Sequence, residues 1–83
     1  MKILVFTASW CNPCKALKQS LASQGISTNI TFVDIDEDPV LTQQYSIRSV
    51  PTTIVLDEKS KETARISGSN QLAWYQNNKA LIA

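Results

Sequence analysis

Eighty-three residues are enough for one domain with a modest core and too few for two. Eight Lys or Arg against seven Asp or Glu leave a net charge of +1, a field too weak and scattered to gather nucleic acid or an anionic membrane. The absence of histidine removes imidazole base catalysis, Cys-His nucleophile pairs and most zinc ligand sets.

Lys2 to Ala8 is rich in Ile, Leu, Val and Phe with little alternation, as in a strand covered on both faces. Its unbroken apolar run, Ile3 to Phe6, falls short of the roughly 7 to 15 residues of a signal peptide and the ~20 of a membrane span. A reducing cytosol is therefore the expected setting, where two neighbouring cysteines are rarely a structural staple. From Pro13 to about Gln24 the apolar positions Cys14, Leu17 and Leu21 recur at helical spacing, and Gly25 suits the end of that helix.

Residues 29–36, NITFVDID, alternate apolar and polar side chains and predict a second strand. Asp38-Pro39 opens a short helix to about Tyr45, because proline suits a first turn and an acid favours a helix N-terminus. Residues 52–57 and 62–67 predict two further strands joined by the polar turn Glu58 to Lys61. Ser69 is a credible N-cap for a last helix with Leu72, Tyr75 and Ile82 on one stripe. The order is β-α-β-α-β-β-α, an α/β chain treated as a single domain from 1 to 83. Its first two strands are expected to lie parallel across a helical crossover, and its terminal hairpin antiparallel.

Residues 6–15, FTASWCNPCK, carry the chemistry. Cys11 falls at a strand-to-helix junction and Cys14 one turn in. Unpaired backbone N–H groups and the helix dipole stabilise a thiolate there, so Cys11 is expected to ionise first. One thiol can attack a disulfide while the other closes the ring and releases product, with no metal or cofactor. Zinc is four-coordinate, and two cysteines without histidine cannot close a site except between two chains. A structural disulfide across so short a loop would constrain little of the unfolded chain. Two inert buried thiols remain a further alternative, although C-x-x-C between a strand and a helix favours redox chemistry.

WCNPCK is similar to the Trp-Cys-Gly-Pro-Cys-Lys site of the thioredoxins, and SIRSVPT resembles their Gly-Ile-Arg-Gly-Ile-Pro-Thr segment. DIDEDP and the Ser67-Gly68 step match further segments in the same order. The resemblance implies a thioredoxin-like fold, a four-stranded mixed sheet flanked by three helices, without counterparts of the family's N-terminal strand and helix. It implies that Cys11 attacks and Cys14 resolves, forming a redox-active Cys11–Cys14 disulfide. Trp10 corresponds to the exposed tryptophan beside the site, and Asn12 and Pro13 lie between the cysteines. Pro51 corresponds to a cis-proline facing the disulfide, Val50 to the residue whose backbone pairs with substrate, and Gly68 to a glycine lining the same groove. Without the resemblance, Pro51 would be a strand-start proline.

The implied activity is reduction of protein disulfides by a monomer, with thioredoxin reductase or a similar enzyme as reductant and ribonucleotide reductase among the suggested substrates. The short length keeps a glutaredoxin-like, glutathione-dependent enzyme as one alternative. A binding subunit with incidental thiols is the other. Two departures stand out. The family's buried aspartate, credited with proton transfer at the resolving thiol, is replaced by Val5, and its lysine partner by Phe32. Asn12 replaces glycine, which should shift the redox poise.

Other signals are weaker. Asp34, Asp36 and Asp38 alternate as in a calcium loop, but Pro39 and Tyr45 stand where such a loop needs glycine and glutamate. They fit a solvated strand exit and a helix cap better. Asn29-Ile30-Thr31 matches a glycosylation acceptor, a coincidence in a cytosolic chain. Trp74 and Tyr75 are expected to pack in the core and at its rim.

Overall fold

The computed structural model describes residues 2–25, 30–68 and 71–78. Seven elements follow in the expected order: β1 (Lys2–Thr7), α1 (Asn12–Ser23), β2 (Ile30–Asp34), α2 (Pro39–Gln44), β3 (Thr52–Leu56), β4 (Glu62–Ser67) and α3 (Gln71–Asn77). The expected N-cap Ser69, the stripe residue Ile82 and Asn29 lie outside the described residues.

The strands form one mixed sheet in the order β2-β1-β3-β4. β1 runs parallel to β2 and antiparallel to β3, and β3 pairs antiparallel with β4. A strand's side chains alternate between faces, so central β1 feeds two separate cores. Ile3 and Val5 join Leu17 and Leu21 of α1 and Tyr75 of α3, whereas Leu4 and Phe6 join Val33, Ile54 and Leu56 on the other face. Leu41 of α2 and the following Tyr45 cover that second core, and the rings of Phe6 and Tyr45 meet at 5.8 Å. Each fully buried Ile, Leu, Val or Phe contributes about 1.5–3 kcal/mol of transfer free energy.

β2 forms as its alternation predicts, and it places apolar side chains on both faces of the sheet. Val33 is buried in the second core, and Ile30 and Phe32 are half-buried against the first. Helices cover both faces of the sheet, so the polar positions of β2 are confined to Thr31 and the exit at Asp34. β3 is buried throughout, including Thr52 and Thr53, because it is a central strand of a sheet packed on both faces.

Local signals end the helices where expected. Gly25 has φ +67°, a left-handed conformation that glycine adopts without Cβ strain, and its N–H donates to Ala22 O at 3.1 Å. Asp38 caps α2, accepting the Leu41 N–H on Oδ1 at 3.0 Å. At the end of α2, Arg65 reaches across from β4 and donates to Tyr45 O at 2.7 Å.

Candidate active site

The chain leaves β1 at Thr7, and Ala8 is buried beneath the turn that follows. Cys11 N–H donates to Ala8 O at 3.1 Å, which closes the turn and places Cys11 as the N-cap of α1 with extended backbone angles. Its Sγ accepts the Cys14 N–H at 3.3 Å, the place a capping oxygen would take. The first helical bond, Lys15 N–H to Cys11 O, follows at 3.2 Å. Asn12 and Pro13 occupy the first helical turn and are exposed, with proline where its missing N–H costs nothing.

The two sulfurs are bonded to each other, with Cα atoms 5.3 Å apart, inside the range a disulfide requires. Cys11 is 5% exposed and Cys14 2%, so the outer member of the pair is the one at the helix mouth. Ala8, Ile35 and Val50 pack around them. The site is thus apolar at its base and open at the N-terminal end of α1.

Pro51 and Val50 arrive from the other side. The Val50–Pro51 bond is cis, and Val50 O lies 3.7 Å from Cys11 Sγ. In the disulfide that sulfur carries no proton, so this is a contact; in the dithiol a Cys11 S–H there could donate to the carbonyl. Thr52 Oγ1 donates to Ser49 O at 2.7 Å and braces the segment that carries Val50. Gly68 follows β4 with φ +98°, a conformation L side chains rarely adopt. Pro13, Pro51 and Gly68 all border one apolar cleft of about 210 Å³ between α1 and α3. The structure therefore brings Cys11, Cys14, Pro13, Val50, Pro51 and Gly68 to one end of the sheet, with Trp10 and Asn12 exposed at its rim.

Trp10 is 65% exposed, yet its indole N–H donates to Asp36 Oδ2 at 3.0 Å. Asp34 Oδ1 accepts the N–H groups of Asp36 and Glu37 at 2.8 and 3.3 Å. The three alternating acids thus bind an indole, a turn and a helix start. Losing an exposed hydrogen bond should matter little to folding, so Asp36→Ala is expected to change stability by no more than about 0.5 kcal/mol. The freed indole should gain mobility, read as lower fluorescence anisotropy of Trp10 relative to a Trp74→Phe background; unchanged anisotropy would show that Asp36 does not hold the ring.

Val5 and Phe32 are cross-strand partners in the β1–β2 ladder, both on the side of α1 and α3. Val5 is fully buried, and Lys18 Nζ lies 4.9 Å from the centroid of the Phe32 ring. Among the described residues the buried polar or charged side chains are Thr52, Thr53 and Gln71, none of them a carboxylate. An ion pair replaced by two apolar partners keeps the sheet packed and spares two desolvation costs.

Sequence reasoning missed Asp36 and Gln71. Gln71 Nε2 donates to Pro51 O and, at 2.9 Å, to Gly68 O, whereas a lone glutamine beside Leu72 carries no signal of such a task. Asp36 was legible only as a charge at a strand exit, since its partner lies 26 residues away.

A cysteine pair at a strand–helix junction, in a chain without histidine and with a proline segment facing it, defines a thiol–disulfide oxidoreductase. The thioredoxin family model matches residues 1–78. Thioredoxin of Chlamydia trachomatis is 39% identical over 69 residues, covering 80% of this chain and 67% of that protein. Thioredoxin-1 of Drosophila melanogaster is 33% identical over 73 residues, covering 83% of this chain and 67% of the relative. The solved structure of thioredoxin 1 from Thermosipho africanus superposes with a TM-score of 0.81 at 29% identity, over 98% of this chain and 92% of that one. The chain belongs to the thioredoxin family, and its fold is thioredoxin-like.

Proposed function

We propose that this chain carries reducing equivalents to disulfide-bonded proteins, with Cys11 as nucleophile and Cys14 as resolving thiol. The observation that supports this most is the placing of Cys11 Sγ as the cap of α1, within 3.7 Å of Val50 O. The helix start favours negative charge on that sulfur. The reduced form begins the cycle: Cys11 thiolate attacks a substrate disulfide, forms a mixed disulfide and expels one substrate thiolate, which takes up a proton. Cys14, losing its proton, attacks Cys11 Sγ and expels the second substrate thiol. Two electrons and two protons pass to substrate, and the Cys11–Cys14 disulfide remains. The pair is itself the redox group, with no further cofactor.

Val50, Pro51, Gly68 and Trp10 border the place an extended substrate strand would occupy, with Asn12 and Pro13 at its end. With Val5 at the buried position beneath α1, Cys14 gives its proton to water or to the departing thiolate. A cleft of about 280 Å³ lined by Cys14, Thr7, Lys18 and Asp34 offers water a path to it. A thioredoxin reductase fits as the source of electrons, with disulfide-bonded proteins such as ribonucleotide reductase as substrates, a monomer as the working form and the cytosol as its setting.

The test is regeneration of the oxidised chain. Expected is NADPH-dependent reduction of insulin disulfides through thioredoxin reductase, with glutathione at equal reducing strength slower by about ten-fold or more. Faster regeneration by glutathione would move the assignment to a glutaredoxin-like enzyme. A Cys11→Ser, Cys14→Ser double variant that retained full biological activity would make the chain a binding subunit.

A further inference from the structure

In the β3–β4 ladder Thr52 faces Ser67, so the next pair in that register is Pro51 with Gly68. Proline has no N–H, and the ladder cannot continue through it by donation from Pro51. The Gly68 carbonyl at the open end of the sheet therefore needs another donor. Gln71 supplies it: the side-chain NH₂ donates to Pro51 O and Gly68 O together. Its Oε1 accepts from Thr53 Oγ1 at 2.7 Å, and the residue is 1% exposed. One buried amide thus uses both of its N–H groups to join the segment after Val50 to the end of β4, and its oxygen to anchor itself to β3.

We propose that Gln71 is a positioning residue for protein substrates: its side-chain amide replaces the missing ladder rung and sets the spacing of the Pro51 and Gly68 segments between which a substrate strand docks. The proposal rests on those segments forming the substrate groove. An extended chain engages such a groove along its backbone, so a shift of either wall weakens docking. A small disulfide needs only Cys11 and is far less sensitive to the walls. Gln71 touches neither sulfur nor substrate; it acts through Pro51 and Gly68.

The experiment compares kcat/KM for insulin with kcat/KM for dithiobis(nitrobenzoate), a small aromatic disulfide, in the wild type, Gln71→Met and Leu21→Ala. Methionine keeps the length of the side chain and removes both donors together with the oxygen that accepts from Thr53. Leu21→Ala truncates the first core and loses stability without touching the two carbonyls. For Gln71→Met the ratio of insulin to small-disulfide efficiency is expected to fall about five-fold or more, carried by KM for insulin, as befits the loss of the two bonds to Pro51 O and Gly68 O. Leu21→Ala, at matched or greater loss of melting temperature, should keep the wild-type ratio. Should Gln71→Met not fold, Gln71→Asn, an amide one methylene too short to span both carbonyls, carries the same expectation.

An unchanged ratio in the Gln71 variant, or an equal fall in Leu21→Ala, would overturn the positioning role and leave the reductase assignment intact. A wild-type chain that reduced dithiobis(nitrobenzoate) but not insulin would overturn the groove and the positioning role together.

Discussion

Cys14→Ser is expected to accumulate a covalent complex with a protein substrate, visible as a band that dissociates on adding dithiothreitol, whereas Cys11→Ser forms none. The reasoning starts from the helix. Cys11 is the cap and receives the Cys14 N–H, so its sulfur is the one a buried donor stabilises as an anion. Cys14 lies a turn further in, 2% exposed, and meets substrate only through Cys11. Serine at 14 leaves attack intact and removes release; serine at 11 removes attack. Turnover should fall on the order of 10³-fold or more in Cys11→Ser. Equal trapping by the two variants would overturn the assignment of roles, and trapping by Cys11→Ser alone would reverse it.

The second large effect belongs to stability. Tyr75→Ala is expected to lower unfolding free energy by about 3–5 kcal/mol, a large fraction of the 5–15 kcal/mol typical of a domain. Tyr75 is the largest fully buried side chain among the described residues, packed with Ile3, Val5, Leu17 and Leu21 and edge-on to Trp74 at 5.2 Å. It is how α3 fastens to α1 and the sheet. Its hydroxyl bonds Thr53 Oγ1 at 2.7 Å. Thr53 already gives its proton to Gln71, so the phenol must be the donor.

Tyr75→Phe therefore costs only about 1–1.5 kcal/mol, one net hydrogen bond. It also changes the alkaline limb of stability. Burial pushes the Tyr75 phenol from 10 up to about 12, so the fold prefers the neutral form. That contribution is complete below pH 10 and is lost as pH rises from 10 through about 12. Urea midpoints measured across that window should fall more steeply for the wild type than for Tyr75→Phe. Parallel curves would show that the phenol is not held neutral.

How much of this was legible differs from residue to residue. Helix starts and stops were local matters. Gly25, Asp38 and Pro13 act on backbone groups within one turn, so their sequence neighbours suffice to read them. The two-faced burial of β2 was not legible, because alternation reports side-chain polarity and not which face a helix will cover. Thr52 and Thr53 are polar and yet buried, since β3 is central in a sheet packed on both faces. Trp10 beside the nucleophile was expected to stay open, and it does; its tether to Asp36 joins the connections after β1 and β2 and was invisible in either.

By itself the sequence determined the element order, the bounds of α1 and α2 and the place of two cysteines at a helix start, because each rests on interactions within a few residues. The resemblance to thioredoxins supplied the cis bond at Val50–Pro51 and the apolar exchange at Val5 and Phe32; the β1–β2 register then showed that Val5 and Phe32 are direct partners. Only the tertiary structure decided what holds together the segments beside those thiols. The register of β3 with β4 leaves Pro51 opposite Gly68, and the docking of α3 puts Gln71 over both carbonyls. Such bonds join residues from separate elements, and the partner of a side chain is settled by packing rather than by its neighbours in the chain.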